Sequence, residues 1–493
     1  MLNSKLLKVL SLATAAAVSI SVVACKYPAI DKESGSSPAS TGVLASGSVL
    51  NAEDLVINEE LSNSDDSEHV IEADGETADY SNVKITKTGD SDQNDEADFY
   101  GDNSAVFATN GASLTLSDMV IDTDGAHANA VFSYGEGTTV NVSDSVIKTS
   151  GNCSGGIMTT GGGTMNATNL TVHTTGNSSA SIRSDRGGGT VTVNGGSYTT
   201  DGTGSPAIYS TADITVNDSK LESTASQGIV VEGKNSVTLN NVTLTADNNT
   251  QNSDKSDRYQ AVMIYQSMSG DADEGLASFS MNGGSLNNAN GDIFFVNNTV
   301  ANITLENAAI VNRDTNGVLL RAEAAGWGSE GSNGGKVNLY LKDQKLDGDI
   351  VVDEVSALNM YIDSSSDYTG AVNAENKGEV YVEIGSGSKW ILTGDSYISS
   401  LSCEEGAIDL NGHNLYVDGK QYAEGSSSAG EAITLAASSG PDKGTRDGAP
   451  PEKPDEKNGP GEGGTPPEKP DDKGGPQAGG TPPDKPDGNR RPG

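Results

Sequence analysis

The chain is poor in cysteine, histidine, aromatic residues and, over most of its length, proline. Its 493 residues hold three cysteines, four histidines and 5% aromatics, and Pro206 is the only proline between Pro38 and Pro441. So few cysteines cannot build a disulfide framework. The histidines are too scattered to predict a zinc site or a catalytic triad. Scarce proline is expected where most backbone N–H groups are bonded within sheets.

Basic residues are also scarce. There are 30 Lys and Arg against 69 Asp and Glu, which gives a formal net charge of −39. The first 26 residues and the tail from residue 441 are close to balanced, so the body carries nearly all of this charge. Such a surface repels phosphate and excludes nucleic acid as the partner. An acidic surface of this kind is typical of a soluble protein, and it does not exclude Ca²⁺ binding.

The N-terminal segment has the pattern of a secretory signal. Two lysines precede an apolar stretch that ends in small residues before Cys25, and the stretch is short for a membrane span. The run Val22-Val23-Ala24-Cys25 resembles the lipobox of bacterial lipoproteins. By that resemblance residues 1–24 are removed and Cys25 carries lipid, which anchors the chain to the membrane at the extracytoplasmic cell surface. The alternative is an ordinary signal with an incidental cysteine. The composition of residues 25–50 predicts a flexible linker.

From about residue 104 to 420 the sequence repeats, mostly every 23–26 residues. Each unit has an apolar triplet, then a V-x-V pair whose two members point inward, then a turn residue suited to left-handed backbone. So short a unit cannot bury its own apolar face and must stack on its copies. Three longer units predict loops at 251–260, 267–278 and 323–335. The V-x-V pairs are Leu114/Leu116, Val140/Val142, Val191/Val193, Ile214/Val216, Val237/Leu239 and Ile303/Leu305, and the turn residues are Asp118, Asp144, Asn169, Gly195, Asp218, Asn241, Gly283 and Asn307.

Three short strands and three turns per unit predict an all-β, right-handed parallel β-helix. In these repeats the chain resembles the pectin-lyase-like β-helix repeat lipoproteins of bacterial cell surfaces. Residues 51–103, with strands expected at 55–57, 69–71 and 83–85, are interpreted as irregular first coils that cap residues 104–420. Residues 421–440 are interpreted as a C-terminal cap or linker. The Pro- and Gly-rich repeats of 441–493 predict a disordered tail.

The residues one position past each apolar triplet form a column that points outward. The middle of this column is distinctive because it carries charged groups and aromatic rings. Charged groups and aromatic rings stacked about 4.8 Å apart along a groove are suited to a sugar chain, because rings cover its apolar face and polar groups bond its hydroxyls. The alternative is a solvated ladder whose charges pair with their neighbours. The candidate ligand-binding residues are Arg183, Tyr209, Glu232 and Tyr265 of the column, with Asn235 and Gln266 one turn further on.

The same cluster offers four candidate catalytic residues: Asp185, Arg186, Glu232 and Lys234. By resemblance, β-helix lyases use an Arg or Lys base beside Ca²⁺-binding carboxylates, whereas β-helix hydrolases group Asp residues. The cluster contains neither a paired Asp-Asp nor a Gly-His-Gly motif. Glu232 and Asp185 are expected two coils apart, about 10 Å or more, which is wide even for an inverting pair.

The acidic run 89–103 places Asp90, Asp92 and Asn94 at the spacing of a Ca²⁺ loop. It lacks the glycine and the closing glutamate of an EF-hand loop, so a solvated acidic loop is expected. The sequence therefore predicts no specific metal site and no cofactor.

These patterns favour a lipid-anchored cell-surface module for interaction or adhesion, with a polysaccharide or cell-wall glycan as its partner. The first alternative is a polysaccharide lyase or glycoside hydrolase acting in the groove from Arg183 to Tyr265. The second is a structural spacer with no specific ligand. The fold alone does not choose among them.

Overall fold

The computed structural model describes residues 49–93 and 95–436. The predicted signal, Cys25 and the tail from residue 441 lie outside the described residues. Strands account for 48% of the chain and helices for 2%. The sheets are long and parallel, which is compatible with a parallel β-helix.

An 11-stranded parallel sheet, here called ladder one, gathers the first strand of successive repeat units. Each strand pairs with the strand one unit away, so the units stack. Its strands are Ile71–Asp74, Val106–Thr109, Val131–Tyr134, Ile157–Thr160, Ile182–Ser184, Ile208–Ser210, Ile229–Glu232, Gln260–Tyr265, Asp292–Asn297, Leu320–Ala322 and Ile350–Val352.

A 22-stranded sheet gathers the second and third strands of each unit in two ladders, which join because two long strands run through both. Ladder two holds Thr77–Ser81, Ser113–Ser117, Thr139–Ser143, Gly163–Thr174, Gly189–Thr200, Asp213–Asn217, Ser236–Asn240, Leu276–Asn282, Val300–Glu306, Lys336–Lys342, Ala357–Asp363, Glu379–Ile384 and Ser400–Cys403. Ladder three holds Glu59–Asn63, Val83–Lys87, Val120–Thr123, Val146–Thr149, the second halves of the two long strands, Lys220–Ser223, Thr243–Ala246, Ser285–Asn288 and Ala309–Asn312.

Two smaller sheets complete the later units. The only antiparallel pairings among the described residues are Ser428–Ala429 with Ser400–Cys403 and Lys420–Gln421 with Leu415–Val417. The four-stranded sheet holds Lys345–Asp347, Asp367–Thr369, Lys389–Ile391 and Ile408–Asp409, and the three-stranded sheet holds Ser396–Ile398, Leu415–Val417 and Lys420–Gln421.

The predicted V-x-V pairs lie in the interior, where they are at most 2% exposed and in register on successive units. The predicted turn column is also confirmed. All eight residues have positive φ, from 47° at Asp144 to 71° at Gly195. Asn and Asp tolerate this backbone because their short side chains bond locally. Some of them also bond along the column, as the Asn169 amide does to Asp144 at 2.7 Å.

The three predicted loops leave the sheets at 247–259, 266–275 and 323–335. The strand expected at 55–57 is absent: these residues follow a 3₁₀ turn at Ala52–Asp54, and the first strand begins at Glu59. The acidic run expected to be a solvated loop contains a short α-helix, Asp95–Tyr100. Its residue Asp98 is buried against ladder one, which corrects that expectation.

Candidate functional site

The predicted outward column is correct at Arg183 and Tyr209 and wrong at Glu232 and Tyr265. Arg183 pairs with Tyr209 in ladder one, as expected, but Tyr209 then pairs with Val230, while Glu232 pairs with Tyr265 two positions further on. The expected single column is therefore wrong by two residues at Glu232 and Tyr265. The outward position in this unit is itself apolar, so the hydrophobic pattern did not fix the register.

The side chains of Tyr209, Glu232 and Tyr265 nevertheless converge. The Tyr265 hydroxyl donates to Glu232 Oε2 at 3.1 Å and lies 3.2 Å from the Tyr209 hydroxyl. Tyr209 and Ser267 also donate to the Glu232 carboxylate. Burial above all, with the nearby charge of Glu232 in addition, raises the pKa of both tyrosines well above the ordinary value. The phenols therefore stay protonated and donate to a carboxylate that is 1% exposed.

A cleft of about 330 Å³ lies beside these tyrosines. Val230 and Met263 line its apolar part, and Trp327 meets Tyr265 edge to face with ring centroids 5.2 Å apart. Two predicted loops supply the walls, 247–259 and, through Trp327, 323–335. The polar groups that line the cleft are those of Gln227, Asn248, Thr250, Gln251, Asn252, Ser253, Ser256, Arg258, Tyr259 and Gln260.

An ion pair joins the two loops that wall the cleft. Arg258 Nη2 lies 3.0 Å from Glu323 Oε1 and 3.3 Å from Oε2. Glu323 also accepts from Arg321 at 3.3 Å, and Arg321 donates to the buried Asp292 at 2.6 Å. The loops are thus tied to each other and to ladder one.

Arg183 does not line the cleft. Its side chain is 12% exposed and donates to Asp98 Oδ2 at 2.9 Å and to Asp185 Oδ2 at 3.1 Å. His127 Nδ1 lies 3.1 Å from the other Asp98 oxygen. Burial opposes ionisation of Asp98, but Arg183 and His127 outweigh it and hold the pKa below its ordinary value. The Arg183 guanidinium therefore fixes the helix Asp95–Tyr100 onto ladder one.

Of the remaining candidate catalytic residues, Asp185 contacts Arg183, whereas Arg186 and Lys234 pair with aspartates of the loop 266–275. Burial first, and then the charge of Asp98, raises the pKa of Asp185 to about 6 against the opposing effect of Arg183. Arg186 donates to Asp271 at 2.8 Å and lies over the Phe99 ring. Lys234 pairs with Asp273 at the surface.

Asn235 and Gln266, the last two ligand-binding candidates, bond the backbone. The Asn235 amide donates to the Glu232 carbonyl at 2.5 Å, and the Gln266 amide donates to the Ala272 carbonyl at 3.1 Å. Both amides hold local turns around the cluster.

Sequence reasoning missed Asp98, Trp327 and the group formed by Asp98, His127 and Cys153. Within the described residues this is the one group of three metal-ligand side chains whose ligand atoms all lie within 4.8 Å of one another. Two signals were available: His127 and Cys153 are one repeat unit apart, and Trp327 lies in a predicted loop insertion.

No protein-family model, curated protein or solved structure matches this chain. Across the described ranges, no helix is long and apolar enough to cross a membrane. The site must therefore be interpreted from its own chemistry.

Proposed function

We propose that the protein is a lipid-anchored module of the bacterial cell surface that binds glycans in the cleft beside Tyr209, Tyr265 and Trp327. The scaffold proposed is a right-handed, pectin-lyase-like β-helix, and the stacking of parallel strands unit upon unit supports it. The lipobox-like residues that end at Cys25 support the anchor.

The observation that carries the proposal is the lining of the cleft. An aromatic surface formed by Trp327 and the two tyrosines faces a wall of amides and hydroxyls from the loop 247–259. Sugars offer an apolar C–H face to aromatic rings and hydroxyls to amide groups, which both donate and accept. This combination favours a glycan over a purely apolar ligand.

The charges favour a neutral glycan. Arg258, the only cationic side chain that lines the cleft, is already paired with Glu323. The chain also has a formal net charge of −39, which repels uronate polymers at long range.

The test uses the full chain carrying Cys25→Ser, screened on a glycan array and then titrated calorimetrically with the best neutral oligosaccharide. Trp327→Ala should weaken binding about tenfold or more, because about 1.4 kcal/mol or more of ring contact is lost. Tyr416→Ala, which removes a half-buried ring from the distant three-stranded sheet, is the matched control and should bind as the parent does. A blank array, or equal loss in both variants, would overturn the proposal.

A lyase or hydrolase is the second candidate, favoured by one observation. Asp185, with its pKa raised to about 6, is suited to proton transfer near neutral pH. Turnover of uronate or neutral polysaccharides that disappears in Asp185→Asn would establish it. If the protein neither binds glycans nor cleaves polysaccharides, the remaining candidate is a structural spacer with no specific ligand.

A further inference from the structure

His127 and Cys153 occupy the same corner of successive repeat units. Both adopt left-handed backbone, with φ of 58° and 56°, and the next two units place Ser178 at 54° and Gly204 at 65° in that corner. The corners are bonded in series, His127 N–H to Asn152 O at 2.9 Å and Cys153 N–H to Asn177 O at 2.8 Å. Serine and glycine satisfy this corner, so the fold itself requires neither an imidazole nor a thiol there.

Asp98 brings a third ligand type to the same place. Its carboxylate is 4% exposed, its Oδ2 is held by Arg183, and its Oδ1 lies 3.1 Å from His127 Nδ1. The ligand atoms of Asp98, His127 and Cys153 all lie within 4.8 Å of one another. Four-coordinate Zn²⁺ with N, O and S ligands spaces them about 3.3–3.8 Å apart, so small side-chain movements suffice.

We propose that Asp98, His127 and Cys153 bind one Zn²⁺-type transition-metal ion, with Arg183 orienting the carboxylate. A thiolate and an imidazole select this class over Ca²⁺ and Mg²⁺, which take oxygen ligands. Arg183, Asp98 and Asp185 together carry one net negative charge. A divalent ion with Cys153 as thiolate brings the buried cluster to neutrality. The bond between Arg183 and Asp98 is the kind of outer contact that metal-ligating carboxylates make.

The site ties the helix Asp95–Tyr100 to two successive units, and it does not depend on the proposed glycan cleft. Three protein ligands leave a fourth position for water or for an anionic ligand.

The test is a Co²⁺ titration of tag-free, chelator-treated full chain carrying Cys25→Ser, followed by absorbance. One equivalent should produce the thiolate-to-cobalt charge-transfer band and the strong visible bands of a four-coordinate site. Zn²⁺ should displace it, and Ca²⁺ and Mg²⁺ should not. The absence of a charge-transfer band in this parent protein would overturn the proposal, whatever the variants do.

Two variants then assign the ligands. Cys153→Ser keeps a residue that this corner accepts in the next unit, yet it should abolish the charge-transfer band and weaken Co²⁺ binding at least about a hundredfold, since even outer-shell changes cost 10–100-fold. Cys403→Ser removes the other described thiol and should bind Co²⁺ as the parent does. The opposite pattern, or unchanged binding in Cys153→Ser, would contradict the assignment. Circular dichroism checks that both variants are folded.

Discussion

Arg183→Met tests whether Arg183 holds the buried carboxylate cluster together. Methionine keeps the apolar stem of the side chain and removes the guanidinium. Asp98, which is 4% exposed, then keeps only His127 and Asn129 as side-chain partners, the latter at 3.5 Å. Removing one partner of a buried ion pair typically costs about 3–5 kcal/mol, because a charge remains buried without compensation. With His127 and Asn129 still bonded to the carboxylate, we expect about 3 kcal/mol, at the lower end of this range.

The assay is urea unfolding followed by far-UV circular dichroism, with Arg186→Met as the matched control. The Arg186 side chain is 38% exposed and pairs with Asp271, so its loss should cost at most about 1 kcal/mol. A stack of repeats need not unfold in one step, so the comparison is made between variants under one protocol.

A second variant tests whether the unpaired charge of Asp98 causes the loss of stability. Adding Asp98→Asn to Arg183→Met removes the unpaired charge and should recover about 1–3 kcal/mol of the loss. Equal costs for Arg183→Met and Arg186→Met, or no recovery in the double variant, would refute the account of the cluster.

Two further predictions concern the fold. Asn241, at φ 55°, should tolerate Asn241→Gly, whereas Asn241→Ala should cost about 1–2 kcal/mol in the same unfolding assay, because alanine has no local side-chain bond to offset left-handed backbone. Backbone hydrogen bonds, first from Gly291, hold the pKa of Asp314 below its ordinary value. The stabilisation that Asp314 contributes is therefore present above the pKa of about 3.9 that its carboxyl has in the unfolded chain. It is lost as the pH falls through the lower pKa of this carboxyl in the folded protein. Asp314→Asn should lower stability at pH 7 and flatten its dependence on pH below about 4. If the stability of Asp314→Asn falls with decreasing pH below about 4 as steeply as that of the parent, this prediction is wrong.

The sequence predicts the interior and the corners well, for a physical reason. The V-x-V pairs alternate with polar residues, and alternation identifies the buried face of a strand directly. The corner residues need left-handed backbone, which few residue types accept, so Asn, Asp and Gly mark the corners unit after unit. The loops follow because extra residues must leave a stacked sheet.

The site is less predictable because its register and partners come from tertiary packing. In ladder one the outward positions Val230 and Met263 are as apolar as the inward ones, so the pattern does not separate the two faces at Glu232. Asp98 lies in an acidic run whose composition favours solvation, and its buried partners, Arg183 and His127, are 85 and 29 residues away in the sequence. His127 and Cys153 share a corner only once the units are stacked.

Glycan binding in the cleft beside Trp327 is best tested by equilibrium binding of a neutral oligosaccharide to the full chain carrying Cys25→Ser, with and without Trp327→Ala. We expect saturable binding that Trp327→Ala weakens about tenfold or more and that Tyr416→Ala leaves unchanged. Binding that is unaffected by Trp327→Ala, or no binding to any neutral glycan, would contradict this expectation.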